Sequence, residues 1–176
     1  MILLKNFYLK NISIIGRVAI GIECLELMIK EELKTDTFDY VISFLQEFVE
    51  NEDINIADWE ELSAELMPCC INDSNYSVKE FEIISENTYT ELKKWYEEIG
   101  EDCRDTINKI IEIASLYFYT IIPLYSFETI ILTNDILNLC KKNTGYIPNI
   151  DAYRKMKFSE NGGWGISMKI QEIKIQ

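Results

Sequence analysis

Residues 12–30 have the sequence ISIIGRVAIGIECLELMIK, in which apolar side chains recur at steps of three and four residues. This spacing is typical of one face of an α-helix and predicts a single apolar stripe made of Ile15, Val18, Ile22, Leu25 and Ile29. The charged residues Arg17, Glu26 and Lys30 fall outside that stripe. We therefore expect a long first helix, with a start as early as Leu4.

The same spacing predicts a second and a third helix. Residues 38–49 carry the apolar face of the second helix, for which Asp36 or Thr37 is a suitable cap. Asn55 is placed to cap the third helix, and Pro68 is expected to end it because proline cannot continue a helical hydrogen-bond pattern.

Three more helices follow in the prediction. Ser77 and Glu80 form a Ser-x-x-Glu capping box ahead of the fourth helix, and Gly100 is a suitable stop for it. A fifth helix is expected to start at Asp102 and to include Phe118, with Pro123 ending or kinking it. The sixth is expected over residues 126–145, where a basic last turn precedes a glycine.

The C-terminal part of the chain changes its pattern. Met156 and Phe158 alternate with polar neighbours, and residues 164–170 alternate again after the turn-forming residues 160–163. Alternation on both sides of a glycine-rich turn predicts a β-hairpin, and Trp164 is expected to clamp it onto the helices.

The fold class that follows is mainly α, a single helical bundle of about six helices with a small C-terminal β-hairpin. We expect one domain over residues 1–176, with the bundle at about 4–145 and an irregular segment and hairpin at 146–176.

Negative charge is concentrated in the middle of the chain. Residues 31–105 hold 22 Asp/Glu and 5 Lys/Arg, a net charge of −17, whereas the whole chain has a net charge of −13. Such a region repels nucleic acid and anionic membranes and attracts basic proteins. Solubility alone is the alternative explanation for this charge.

Several chemistries are excluded by composition. The chain contains no His, which removes Ser-His and Cys-His catalytic pairs and His-ligated metals. No glycine-rich phosphate loop occurs, and five Cys without a Cys-x-x-Cys pair argue against a disulfide framework or a thiolate metal site. We expect a non-enzymatic protein without a cofactor. With neither a secretory signal nor a membrane span expected, we place it in the cytoplasm.

One arrangement of carboxylates offers a catalytic alternative. Glu23 and Glu26 share one face of the first helix, and Glu50 and Asp53 close the second, so four carboxylates could surround Mg²⁺ if the helices were antiparallel. The pattern resembles that of all-α nucleoside triphosphate pyrophosphohydrolases. That family has an additional Glu beside the first pair, whereas this chain has Cys24 and Leu25 there.

Acidic residues also crowd the predicted helix ends, where a carboxylate faces the negative end of the helix dipole. Asp53, Glu101 and Asp102 also lie just ahead of the next helix, where negative charge is favourable, but the end of the second helix has too many acids for that explanation alone. Complementary charge speeds the encounter with a basic partner and selects that partner. We therefore predict a partner-binding surface made of Glu47, Glu50, Glu52, Asp53, Asp58, Glu61, Glu97, Glu98, Glu101 and Asp102.

Two stretches resemble a known family. Residues 17–26, with the sequence RVAIGIECLE, and residues 148–165, which run from PNID to GWG, are similar to small all-α immunity proteins of bacterial polymorphic toxin systems. The resemblance implies a cytoplasmic inhibitor that binds and blocks one cognate toxin. A helical scaffold or regulatory subunit is the remaining alternative.

Overall fold

A long buried helix, α1 (Ile14–Leu33), forms the centre of the molecule in a computed structural model that describes residues 8–33, 39–73 and 78–174. All residues from Ile14 to Ile22 are buried, so the helix is enclosed on every side in its first half. The Ser13 hydroxyl accepts the Gly16 N–H at 3.1 Å and thereby caps the helix. The earlier start at Leu4 lies outside the described residues, but the chain between residues 10 and 13 is not helical.

Three helices pack directly on α1: α2 (Asp39–Glu50), α6 (Glu101–Ser115) and α7 (Phe127–Thr144). Gly21 permits the close approach of α6, because a Cβ atom there would lie 2.7 Å from Cγ1 of Ile110.

Smaller elements complete the helical layer: α3 (Ile56–Leu66), α4 (Pro68–Ile71), α5 (Glu86–Glu98) and α8 (Ile170–Lys174). Short 3₁₀ turns occur at Val78–Glu80, Ile150–Lys155 and Asn161–Gly163. The buried apolar residues of the described chain join in one core cluster. The mainly α prediction is confirmed.

Two predicted helix signals are confirmed in atomic detail. The Asn55 side chain accepts hydrogen bonds from the backbone N–H groups of Ala57 and Asp58 at the start of α3. Gly145 ends α7 with φ 82°, a left-handed conformation that glycine adopts without a steric penalty. The candidate caps Asp36 and Thr37 lie outside the described residues.

The predicted start of the fourth helix is wrong. Glu80 belongs to a 3₁₀ turn, residues 81–85 are not helical, and α5 begins only after the Ser85 cap. The carboxylate of Glu65 accepts the consecutive N–H groups of residues 82, 83 and 84 at 2.7–3.1 Å. These donors are therefore satisfied without a helix. The other half of the capping box, Ser77, lies outside the described residues.

The fifth helix is shorter than predicted. It begins at Glu101 and ends at Ser115, and residues 116–126 form turns and loop before α7. Pro123 and the left-handed residues Tyr125 and Ser126 are incompatible with a helical path through this segment.

The predicted C-terminal hairpin is also wrong, since the described residues contain no sheet and only one isolated antiparallel bridge, Ile12 to Lys157. Single backbone hydrogen bonds instead hold the tail against the helices. The Ile15 N–H donates to the Trp164 carbonyl, and the Met168 N–H donates to the Val49 carbonyl. The glycine-rich residues Asn161–Gly163 form a 3₁₀ turn and do not connect two paired strands. None of the helices described is long and apolar enough to cross a bilayer.

Candidate protein-binding surface

The ten predicted carboxylates fall into two groups. The first acidic group lies at the end of α2 and on α3 and comprises Glu47, Glu50, Glu52, Asp53, Asp58 and Glu61. The second acidic group lies at the junction of α5 and α6 and comprises Glu97, Glu98, Glu101 and Asp102.

Opposite ends of α1 carry the two groups. Ile15 lines a groove together with Glu52, whereas Glu32 accepts the Gly100 N–H at 2.8 Å, next to the second group. Ile15 and Glu32 are 17 residues apart, which corresponds to about 25 Å along the helix. The structure therefore does not bring the ten carboxylates into one patch.

Structural contacts account for part of the first acidic group. One carboxylate oxygen of Glu50 accepts the Ile170 N–H at 2.9 Å and the other lies 3.4 Å from Lys169 Nζ, so this side chain fastens the C-terminal tail. Asp58 lies in the first turn of α3, where negative charge is favourable, and accepts the Asn55 amide at 2.8 Å.

The rest of the first acidic group is exposed, namely Glu47, Glu52, Asp53 and Glu61. Glu47 lies in the last turn of α2, and residues 52 and 53 follow directly after the helix ends. These positions face the negative end of the helix dipole, where an exposed carboxylate is unfavourable by about 0.3–1 kcal/mol.

The second acidic group is neutralised only in part, since Glu97 and Glu98 are exposed in the last turn of α5. Lys142 Nζ lies 2.6 Å from the Asp102 carboxylate, and Asn143 donates to the same oxygen at 2.8 Å. These hydrogen bonds, that from Lys142 above all, lower the pKa of Asp102 below its usual value. Glu101 and Asp102 also occupy the first turn of α6, where the helix dipole favours them.

An aromatic groove borders the first acidic group. It has a volume of about 440 Å³ and is lined by Ile15, Phe48, Asn51, Glu52, Ile54, Ile56, Phe118, Asn161, Trp164, Gly165, Ile166 and Ser167. Trp164 and Phe118 are both half-buried and stack with ring centroids 5.9 Å apart. Trp164 also contacts Phe48 of α2, with centroids 6.4 Å apart, so it packs the tail against the helices, without the predicted hairpin, and forms one wall of the groove.

The groove is built on a rigid aromatic base. Trp59 of α3 stacks on Phe44 with centroids 4.8 Å apart and contacts Phe48 and Phe118 at 4.9 and 5.7 Å. Trp59 is 3% exposed, so the groove walls rest on the core itself.

Sequence analysis missed the role of Arg17, which it placed outside the apolar face. Arg17 is fully buried. Its Nη1 donates to the Ser126 carbonyl at 3.1 Å and to Thr129 Oγ1 at 2.5 Å, and its Nη2 donates to the Leu9 carbonyl at 2.9 Å. Burial lowers its pKa to about 9. A charged residue inside an otherwise apolar stretch was the only signal in the sequence.

Three of the four carboxylates of the catalytic alternative, all but Asp53, have separate partners. Glu23 accepts the Tyr153 hydroxyl, Glu26 accepts the Gln46 amide, and Glu50 holds the tail. Across the described ranges, no three Asp, Glu or Cys side chains are grouped in a way that would hold a metal ion. The geometry gives this alternative no support.

A scan against protein-family models, a search of curated proteins and a search of solved structures each found no match to this chain.

Proposed function

We propose that this chain is a non-enzymatic inhibitor that binds a basic protein through the first acidic group and the adjoining aromatic groove. Exposed carboxylates at the unfavourable end of α2, beside a groove with half-buried rings, are the observation that carries the proposal. Charge of this kind accelerates and selects a partner, while rings in a groove supply affinity.

An immunity role is the most specific form of this proposal. The resemblance of residues 17–26 and 148–165 to immunity proteins supports it, and the partner would be a cognate toxin whose basic cleft is blocked by occlusion. Such a protein acts in the cytoplasm, where its five cysteines stay reduced.

The test begins with the genes next to the one that encodes this chain. The immunity role requires a large secreted protein encoded immediately upstream, and its absence would refute that role in favour of a scaffold or regulatory subunit. Where the upstream gene is present, its C-terminal domain is expressed with and without this chain. We expect this chain to protect the host cell at a one-to-one ratio to the toxin domain, and calorimetry to detect a complex between the two.

Charge reversals then locate the surface. Glu47→Lys, Glu52→Lys and Asp53→Lys together should weaken the complex at least about tenfold and flatten its salt dependence. The matched control is Glu97→Lys with Glu98→Lys in the second acidic group, which should change affinity by no more than about twofold, since these residues lie near the opposite end of α1 and salt screens exposed charges from one another. Equal effects of the two variants would contradict the assignment of the surface.

A further inference from the structure

A loop near the start of α1, the end that lies beside the first acidic group, exposes apolar side chains to solvent. Residues 116–127 have the sequence LYFYTIIPLYSF and carry no charge. Ile121 is 93% exposed, Leu124 is 85% exposed and Tyr119 is 72% exposed. Neighbouring aliphatic side chains exposed to this degree are unfavourable in a free protein and usually mark an interaction site.

The loop is held in one conformation. Tyr125 and Ser126 have φ values of 61° and 45°, in the left-handed region that non-glycine residues rarely adopt. The buried guanidinium of Arg17 binds the Ser126 carbonyl, and the Ser126 N–H donates to the Pro123 carbonyl at 2.9 Å. Such strain persists only where the surroundings enforce it, and a loop fixed in advance loses less entropy on binding.

Carboxylates border this apolar loop. The Tyr119 hydroxyl donates to Glu60 of α3 at 2.6 Å, next to Glu61 of the first acidic group. On the other side, the Tyr117 hydroxyl donates to Glu128 at 2.7 Å, and this bond lowers the pKa of Glu128. The loop therefore has an apolar tip and carboxylates on two sides, which continue into the first acidic group. A cation also borders it, since Lys10 Nζ lies 5.7 Å from the centroid of the Tyr125 ring.

We propose that residues 119–127 are the apolar anchor for a protein partner whose apolar cleft is bordered by Lys and Arg. The proposal rests on the proposed function, and it assigns most of the affinity for the partner to this loop. An anionic lipid surface would be repelled by Glu60 and Glu128. A second copy of the chain would bring two acidic borders together in a molecule of net charge −13.

Two synthetic probes separate the apolar and the charged contributions. One is a short peptide that alternates leucine with lysine, and the other alternates glycine with lysine at the same length and charge. Fluorescence anisotropy measures the binding of both peptides to the full chain and to the double variant Ile121→Ser, Leu124→Ser. Both positions are almost fully exposed, so the variant should fold, which circular dichroism checks.

The double variant should bind the leucine–lysine peptide at least about tenfold more weakly and the glycine–lysine peptide within about twofold of the original. Tyr146→Ser is the matched control, because Tyr146 is 54% exposed just beyond the other end of α7. It should leave both affinities unchanged.

Other outcomes overturn the proposal. The proposal fails if the leucine–lysine peptide does not bind, or if the double variant binds it as tightly as the original chain does. It also fails if the original chain binds phosphatidylcholine–phosphatidylglycerol vesicles, or forms a dimer in sedimentation, and the double variant does not. The charge reversals at residues 47, 52 and 53 serve as a separate arm. If they leave both peptides unaffected, the acidic surface fails, while the difference between the two peptides still decides the role of the loop.

Discussion

Replacing Arg17 by methionine should leave the stability of the protein almost unchanged, although Arg17 is the largest fully buried side chain. Its three hydrogen bonds go to two carbonyls and a hydroxyl, none of which carries a charge. Methionine retains most of the volume of the side chain and removes the charge. Two opposing energies then decide the outcome.

The first energy is the burial of the charge. A pKa lowered from 12.5 to about 9 corresponds to about 5 kcal/mol against the charged side chain at neutral pH. The second is the hydrogen bonds, which contribute about 1.5–3 kcal/mol each when the donor is charged, or about 4.5–9 kcal/mol for three. The buried Nε of Arg17 has no hydrogen-bond partner among the described residues, which costs about 1–3 kcal/mol more and brings the opposing energies close to balance. The Leu9 and Ser126 carbonyls also keep the N–H groups of Ile12 and Ile130 as donors, so methionine leaves neither acceptor without a partner.

We therefore expect Arg17→Met to change the free energy of unfolding by no more than about 1 kcal/mol, and Arg17→Ala to lower it by about 3 kcal/mol because it opens a cavity. Urea unfolding followed by circular dichroism measures both free-energy changes, provided that the slope of the free energy against urea concentration is the same in all variants. Hydrogen exchange at the Ser126 amide should become faster in Arg17→Met, since the loop loses its clamp. A loss in Arg17→Met as large as that in Arg17→Ala would refute the reasoning and show that the hydrogen bonds dominate.

Three further predictions concern helix ends and packing. Asn55→Ala should lower the free energy of unfolding by about 1 kcal/mol, because two N–H groups of α3 lose their acceptor, whereas Asn55→Ser should be nearly neutral in the same urea titration. Gly21→Ala should cost about 1–3 kcal/mol, since the new Cβ would overlap Ile110, and an unchanged urea midpoint would contradict this packing. The pKa of Asp102 is lowered in the folded state, so its pair with Lys142 stabilises the protein above the usual carboxyl value and is lost as the pH falls below about 4. Asp102→Asn should abolish that acid loss, which is no more than about 1 kcal/mol for so exposed a pair, and identical acid unfolding curves would contradict it.

The helices that the sequence predicted well are those with a complete local signal. Asn55 caps α3 through its own neighbours, and Gly145 ends α7 by its own backbone conformation. Neither feature needs information from a distant part of the chain. The apolar periodicity of α1 is local in the same sense, although it could not show that the first half of the helix is enclosed on all sides.

The errors come from contacts between distant residues. The Ser-x-x-Glu signal was overridden by Glu65, whose carboxylate binds the N–H groups of residues 82–84. Alternation in the tail predicted strand pairing, but the tail hydrogen bonds instead with residues 15 and 49. The acidic surface was predicted as one patch because charge along a sequence does not show which helix ends lie together.

The features concentrated at the start of α1 support one another as evidence for a partner. Each exposed carboxylate at the negative end of α2 is unfavourable in the free chain by about 0.3–1 kcal/mol, and each of the two left-handed residues by about 1 kcal/mol or more. An uncharged loop open to solvent lies beside them. At the opposite end of α1 only part of the acidic group is neutralised, since Lys142 pairs with Asp102 whereas Glu97 and Glu98 are exposed in the last turn of α5. The start of α1 differs in that an exposed apolar loop and two left-handed residues lie beside its carboxylates. A basic partner would stabilise the carboxylates and cover the loop together, and the total cost is small enough for a domain stable by about 5–15 kcal/mol to tolerate until it binds.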